Sequence, residues 1–297
     1  MTELTLLDGG VATELQRRGL QVAAPWWTTK AVLTGRNRDV LRAVHEDYVA
    51  AGARVITANT FRCNLRCLRA NGLEDAGLAW MTHAAVGVAT AVRNSSGGRV
   101  RVAGSVAPVE DCYRPDLVPP DDELRVEHRW LVVELLRAGV DLMLVETMNT
   151  AREARIAVGE AVAAGAETWA SFVCGPDARL LSGEPLSEAA RAVLGEGASA
   201  VLVNCARPED VDACLAVLGD AAPVPFGAYP NVEDRSELPR WGHVDRHVRA
   251  DVVPEEFAEL VARWCAEFGA SLLGGCCGTT PAHLAAAAGV VAAQPAG

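Results

Sequence analysis

The chain alternates between two kinds of segment. Runs rich in Val, Ile, Leu and Ala end at polar or glycine-containing clusters, and a segment with helical spacing of apolar residues then follows. The runs are almost continuously apolar, which is typical of parallel strands covered on both faces. Eight runs are predicted as strands: Thr5–Leu7, Arg54–Ala58, Val100–Ser105, Leu142–Glu146, Thr168–Cys174, Ala200–Asn204, Val224–Tyr229 and Ser271–Gly274.

The segments between these runs are predicted as helices. In Asp39–Ala51, for example, Leu41, Val44 and Tyr48 share one apolar face, and Asn37 is expected to cap the first turn. Four further segments have the same spacing: Glu123–Ala138, Ala151–Ala164, Glu209–Leu218 and Glu255–Phe268. Glycines in the left-handed conformation are expected to end helices at Gly52, Gly139, Gly165, Gly197 and Gly269.

Alternation of strands and helices over 297 residues predicts an α/β fold, a single-domain (β/α)8 TIM barrel spanning residues 1–297. A doubly wound open sheet is the competing architecture. It lacks support because Asp8-Gly9-Gly10, after the first strand, does not continue into the glycine-rich dinucleotide motif. No segment is long enough to link two separate domains.

Charge and composition exclude several classes of partner. The chain carries 38 acidic and 27 basic residues, a formal net charge of −11, which disfavours binding to nucleic acid or to anionic membranes. It has no membrane-spanning apolar run, and its first residues lack the basic segment of a signal peptide. We therefore expect a cytoplasmic protein that acts on small molecules; the sequence leaves its oligomeric state open.

Nine cysteines, an odd number without an export signal, favour metal or thiol chemistry over a disulfide framework. Cys205 ends the sixth predicted strand, and the vicinal pair Cys276 and Cys277 follows the eighth between flanking glycines. Three thiolates leave one position of a tetrahedral zinc ion open, as in catalytic zinc sites. Simple burial of the cysteines, or redox chemistry of the vicinal pair, stays as an alternative.

The other cysteines and a histidine pair are interpreted as structural. Cys174 ends a strand and is ambiguous, whereas packing or surface positions are expected for Cys63, Cys67, Cys112, Cys214 and Cys265. His243 and His247 lie in a charged segment without a matching carboxylate pattern. We interpret that segment as a solvated loop.

Two acids are expected at the carboxyl ends of the strands, where active sites of parallel barrels lie. Asp8 stands in a turn-like Asp-Gly context, so it either caps a loop or binds a ligand. Glu146 ends an apolar run, and a buried carboxylate there needs a partner. That partner is either a cationic ligand or an arginine such as Arg152 or Arg155.

Six segments together resemble the zinc-dependent homocysteine S-methyltransferase family. They run in order through nearly the whole chain, and the cysteine motif with an upstream Asn-Cys is highly specific. The segments are Leu7-Asp-Gly-Gly-Val-Ala-Thr-Glu-Leu, Ala58-Asn-Thr-Phe, Val145-Glu-Thr, Leu202-Val-Asn-Cys, Tyr229-Pro-Asn and Gly274-Gly-Cys-Cys-Gly-Thr-Thr-Pro.

The resemblance implies a Zn²⁺ ion held by Cys205, Cys276 and Cys277, with the sulfur of homocysteine at the open position. It implies that Asp8 and Glu146 face the amino group of that amino acid. The backbone of Gly9 and Gly10, with Thr60, would fix its carboxylate. Asn204, at the end of its strand, is counted among the substrate-binding residues.

The reaction implied by the resemblance is transfer of a methyl group to the homocysteine thiolate, giving methionine. The donor would be a sulfonium, S-methylmethionine or S-adenosylmethionine, or a related onium such as betaine. Trp26-Trp27 would supply a cation–π wall for it, with packing as the alternative. Two segments depart from the sulfonium-using relatives near the expected donor pocket: Ala107–Asp116 and the Val232-Glu-Asp-Arg stretch.

Two further functions stay open from the sequence. One is methylation of a different thiol or a selenol, with a betaine-like donor. The other is a barrel that binds zinc and thiols but has lost catalysis.

Overall fold

The computed structural model describes residues 4–237 and 246–293. Within these ranges eight parallel strands form one sheet in the order β1-β8-β7-β6-β5-β4-β3-β2. Their bounds differ from the predicted ones by at most two residues at either end: β1 Thr5–Leu6, β2 Val55–Ala58, β3 Arg101–Val106, β4 Leu142–Met148, β5 Thr168–Phe172, β6 Ala200–Asn204, β7 Phe226–Tyr229 and β8 Leu272–Leu273.

The sheet closes into a barrel between its first and last strands in this order. A parallel bridge joins Leu7 to Val55, the Asp8 N–H donates to the Val55 carbonyl at 2.9 Å, and the Arg54 N–H donates to the Leu6 carbonyl at 2.7 Å. The predicted (β/α)8 barrel is therefore confirmed and the open doubly wound sheet is excluded. No helix in the two described ranges has both the length and the apolarity to cross a membrane.

Helices follow the strands and cover the outside of the barrel. The α-helices in the described ranges are α1 Val11–Arg17, α2 Gly35–Ala50, α3 Leu65–Ala70, α4 Asp75–Ser95, α5 Asp121–Ala138, α6 Ala151–Ala163, α7 Leu186–Gly195, α8 Pro208–Ala221, α9 Pro254–Phe268 and α10 Pro281–Ala293. The predicted helices correspond to α2, α5, α6, α8 and α9. Two short 3-10 helices span Trp27–Val32 and Pro115–Leu117. The five glycines predicted to turn the chain after helices all have φ between +72° and +114°.

The predicted cap of α2 is wrong. The helix begins at Gly35, and the Thr34 hydroxyl accepts a hydrogen bond from the Asn37 N–H at 3.2 Å. Asn37 thus lies inside the first turn, because the chain becomes helical before the apolar periodicity starts.

Side chains alternate between the two faces of each strand and so build two cores. In β4, Leu142 and Leu144 pack inside the barrel, whereas Met143 and Val145 pack against the surrounding helices. This period of two places the next inward position at Glu146. An acidic side chain therefore points into the barrel at the carboxyl end of an apolar strand.

Gly227 in β7 lies so close to β8 that no side chain fits at this position. A Cβ at this position would lie 1.7 Å from the Leu272 carbonyl oxygen of β8, a backbone atom that cannot move without breaking the strand pairing. We expect Gly227→Ala to lower the free energy of unfolding by about 3 kcal/mol. Gly87→Ala, at an exposed helix position with open space around it, should instead raise it by about 0.5–1 kcal/mol. Urea unfolding of both variants measures the difference; equal midpoints would contradict this account of Gly227.

Candidate active site

A cavity opens at the carboxyl ends of the strands in the described part of the chain. Polar residues from most of the strand ends line it, together with loop residues after β3, β7 and β8. The titratable side chains that line it include Asp8, Glu146, Cys205, Tyr229, Glu233, Cys276 and Cys277.

Three of the nine cysteines converge in this cavity. The Cys205 sulfur lies 2.6 Å from that of Cys276 and 3.8 Å from that of Cys277, and the vicinal sulfurs are 3.9 Å apart. Strand ends that are about 70 residues apart in sequence therefore present one compact set of sulfur ligands.

A local bend directs the Cys205 side chain. Cys205 has φ +52°, a left-handed conformation that is uncommon for a non-glycine residue, and it directly follows the inward-pointing Asn204. The Asn204 side chain is fully buried and fixed on three sides. Its oxygen accepts from the Thr147 N–H at 2.9 Å and the Ser171 hydroxyl at 2.7 Å, and its amide donates to the Thr147 hydroxyl at 2.8 Å. Asn204 therefore positions the strand end that carries Cys205.

Backbone contacts hold the vicinal pair. The Cys276 N–H donates to the Pro230 carbonyl at 2.8 Å, and the Cys277 carbonyl accepts from the Val232 N–H at 2.9 Å. Gly278 has φ +81°, and a Cβ at Gly275 would lie 2.2 Å from the Thr279 side chain. The turn requires glycine at both positions, once for conformation and once for space.

The electrostatics of the three thiols favour a bound cation. The Cys276 and Cys277 thiols donate to Cys205 and hold its pKa well below the usual range. The same contacts with Cys205, together with burial, raise the pKa values of Cys276 and Cys277 well above it. Three buried sulfurs in mutual contact can all be thiolates only when a cation compensates their charge. Their number and spacing fit a soft metal ion such as Zn²⁺.

Asp8 is a buried carboxylate held by the neighbouring strand. Its two oxygens accept from the N–H and the hydroxyl of Thr57, at 2.8 and 2.9 Å. Burial raises its pKa to about 7 in spite of these hydrogen bonds, which favour the ionised form.

Glu146 is the second buried carboxylate of the cavity. It accepts hydrogen bonds from the hydroxyls of Ser105 and Tyr229, and burial raises its pKa to about 7. The arginines considered as its partners pair elsewhere: Arg152 with Asp121 and Arg155 with Glu196. The partners of Glu146 in the described structure are therefore these two hydroxyl groups, and neither Arg152 nor Arg155 neutralises it.

The glycines after Asp8 line the cavity as expected. A Cβ at Gly9 would lie 2.7 Å from the Tyr48 ring, and one at Gly10 would lie 2.7 Å from the Cys276 carbonyl oxygen. The absence of side chains here lets the first loop pack directly against the loop that carries Cys276.

Three residues considered for substrate contact do not line the cavity. The Thr60 hydroxyl is buried and donates to the Ser105 carbonyl at 2.9 Å. The side-chain amide of Asn204 is hydrogen-bonded to Thr147 and Ser171. Trp26 packs against the core between barrel and helices, while its neighbour Trp27 lines the cavity. No regular spacing of apolar residues in this segment shows which side chain faces the barrel mouth, so the sequence does not indicate which of the two tryptophans lines the cavity.

The interpretation of His247 as part of a solvated loop is wrong. Its side chain is 13% exposed, lines the cavity, and places Nδ1 2.6 Å from a carboxylate oxygen of Glu233. Glu233 belongs to the Val232-Glu-Asp-Arg stretch, and no local pattern in the sequence pairs it with His247. His243 lies outside the described residues.

The other six cysteines are buried or half-buried. Cys174, whose role was ambiguous, is fully buried beside Cys214, a packing arrangement in the outer core. Cys63 is buried and Cys67 and Cys265 are half-buried. Cys112 is buried too, but it also contributes to the wall of the cavity.

The chain is similar to known methyltransferases over almost its whole length. The sequence model described as Homocysteine S-methyltransferase matches residues 5–291. The chain belongs to this family. It is 31% identical to the homocysteine S-methyltransferase of Escherichia coli K12, over 96% of this chain and 94% of that one, and 28% identical to a selenocysteine Se-methyltransferase of Brassica oleracea var. italica, over 95% and 87%.

Its structure is similar to the metallated form of the E. coli homocysteine methyltransferase MmuM. The TM-score is 0.81 with 30% identity, and the match covers 96% of each chain. Membership in the homocysteine S-methyltransferase family and the barrel architecture are thus supported by sequence and by structure.

The raised pKa of Asp8 predicts that ionisation of its carboxyl group lowers the free energy of unfolding. Because its pKa in the folded protein exceeds the unfolded value, ionisation lowers stability progressively above about pH 4, and the penalty is complete above about pH 7. We expect Asp8→Asn to increase the free energy of unfolding by about 2–4 kcal/mol at pH 8, with the gain vanishing below pH 4. Denaturant titrations across this range, with exposed Asp220→Asn as control, measure it. A gain independent of pH would contradict the assignment.

Proposed function

We propose that this chain is a zinc-dependent S-methyltransferase that methylates the thiolate of homocysteine to give methionine, with a cationic onium as methyl donor. We further propose that the whole barrel, residues 1–297, is its homocysteine-binding domain. One observation carries the proposal: three thiols that suit a metal ion share a cavity with two buried carboxylates that suit an ammonium group. Homocysteine carries both complementary groups, a thiol and an α-ammonium.

Cys205, Cys276 and Cys277 would hold the zinc ion. When bound, zinc lowers the pKa of a coordinated substrate thiol, so that the thiolate is available near neutral pH. A selenol would be activated in the same way, which makes it the second acceptor worth testing.

Asp8 and Glu146 would bind the ammonium group of the acceptor. Both are buried and already oriented by hydroxyl groups, so they require little rearrangement when the ligand enters. A bound ammonium would restore the ionised form of both acids and lower their pKa values. The backbone next to them, at Gly9 and Gly10, would contact the rest of the amino acid.

Methyl transfer itself needs no protein base once the acceptor is a thiolate. This chain aligns the two substrates in one cavity, and the packed barrel closes that cavity to bulk water on one side. Alignment of the reacting groups can account for a large share of the rate acceleration. The titratable side chains that line the cavity fit these roles, because they suit charge recognition and metal binding.

The function is tested by incubating zinc-loaded protein with homocysteine and a panel of donors. The panel consists of S-methylmethionine, S-adenosylmethionine and betaine, and mass spectrometry detects methylated thiol. We expect methionine with at least one donor, loss of activity after chelation, and recovery with zinc. Cys276→Ser should reduce bound zinc below about one per chain and abolish turnover, whereas half-buried Cys265→Ser should change neither. Zinc and homocysteine binding without transfer from any donor would instead establish a non-catalytic barrel.

The ammonium-binding role of Glu146 has its own test. Glu146→Gln should lower kcat/KM for homocysteine about 30-fold or more, since it removes a charged hydrogen-bond partner from a buried site. 4-Mercaptobutanoate, which lacks the amino group, should lose much less activity in the same variant. Steady-state kinetics with both thiols make the comparison. Equal losses for the two thiols would mean that Glu146 supports the fold of the site and does not bind the amino group.

A further inference from the structure

Glu233 is a buried acid for which the reaction described so far has no use. It lies in the loop after β7, and its side chain is 1% exposed. One carboxylate oxygen is 2.6 Å from His247 Nδ1. The other, Oε2, is buried and has no hydrogen-bond partner among the described residues. A buried carboxylate oxygen without a partner is energetically unfavourable unless a ligand completes it.

This carboxylate faces the reaction centre. Glu233 lines the same cavity as the three cysteines, and ligand atoms of Glu233, His247 and Cys277 lie within 4.8 Å of one another. A negative group is therefore held next to the position where the acceptor sulfur would bind. It is a separate carboxylate from the pair assigned to the acceptor's ammonium, Asp8 and Glu146.

The surroundings keep Glu233 in place. Its N–H donates to the Asn231 side chain at 2.9 Å. The His247 backbone exchanges two hydrogen bonds with the Gln16 side chain, at 2.7 and 2.8 Å, which ties His247 to α1. The imidazole and the carboxylate are thus fixed from two different elements, as expected for a preorganised binding group.

An aromatic wall is a weaker candidate for binding a cation here. Trp27 is the tryptophan that lines the cavity, but the Arg62 guanidinium lies 5.7 Å from its ring centre and 5.3 Å from that of Phe61. These rings already interact with a cation of the chain itself. Arg62 and Arg235 also line the cavity, so an added positive charge needs a carboxylate close by.

We propose that Glu233 binds the cationic centre of the methyl donor, and that His247 is the residue that positions it. The proposal rests on the proposed methyl transfer and adds to it the residue that recognises the positive charge of the donor, whether sulfonium or quaternary ammonium.

The charge change during transfer determines which kinetic constant Glu233 affects. The acceptor thiolate forms a bond to the methyl carbon while the bond from that carbon to the onium atom breaks, and the electron pair stays with the onium atom. A thiolate and a cation become two uncharged products when the donor is a sulfonium. Attraction to Glu233 is therefore greatest for the bound donor and weakens towards the transition state, so it lowers KM for the donor and does not raise kcat.

The experiment compares charge-matched variants of the zinc-loaded enzyme. Glu233→Gln keeps the shape and removes the charge, Glu233→Asp keeps the charge, and exposed Glu237→Gln is the control in the same loop. With S-methylmethionine as donor, we expect Glu233→Gln to raise the donor KM about 10-fold or more with a change in kcat of less than about threefold. Glu233→Asp should retain part of the effect, and Glu237→Gln should match the wild type. His247→Gln should raise the donor KM less, and add little in the Glu233→Gln background.

Binding without turnover separates this proposal from the proposed function. In calorimetry without homocysteine, Glu233→Gln should weaken binding of S-methylmethionine but leave binding of methionine, its uncharged thioether counterpart, unchanged. If the wild type binds the sulfonium in this Glu233-dependent way yet transfers no methyl group, the donor site stands and the methyltransferase function fails. An unchanged donor KM, an equal loss of methionine binding, or a lower zinc content in Glu233→Gln would each overturn the proposal; the last would make Glu233 a metal ligand.

Discussion

Closure of the sheet between β1 and β2 is the constraint on which the site depends. The pairing of Leu7 with Val55 turns an eight-stranded sheet into a barrel, so the carboxyl ends of all the strands surround one cavity. Cys276 and Cys277, after β8, reach Cys205, after β6, across the one strand between them, β7. Closure adds the ends of β2, β3 and β4 to the same rim, so that Thr57 holds Asp8 and Glu146 lines the cavity that contains the cysteines.

The site concentrates charge that the fold by itself does not favour. Asp8 and Glu146 are buried with pKa values raised to about 7, and one carboxylate oxygen of Glu233 has no hydrogen-bond partner within residues 4–237 and 246–293. Hydroxyl groups of Thr57, Ser105 and Tyr229 offset only part of the loss of hydration. Such groups reduce stability in return for preorganised recognition, a common property of binding sites.

Much of the architecture follows from local rules that a sequence exposes directly. Near-continuous apolar runs, helical periodicity and terminal glycines predict the strands, helices and barrel, because each depends on neighbours in the chain. The inward direction of Glu146 also follows from the period of two along β4. The start of α2 was misplaced for an equally local reason: its polar first turn carries no apolar signal, so only the Thr34 cap marks it.

The fold class, the family and the three cysteines at strand ends can be read from the sequence, because these features consist of short patterns at fixed positions. How the loops and side chains meet follows from the tertiary contacts. Hydrogen bonds within the protein engage the side chains of Thr60 and Asn204, Trp27 and not Trp26 lines the cavity, and His247 orients Glu233 beside Cys277. Loops have no periodicity, and contacts such as the one between Gln16 and His247 join residues more than 200 positions apart. Their geometry is fixed by the closed barrel, which no local pattern records.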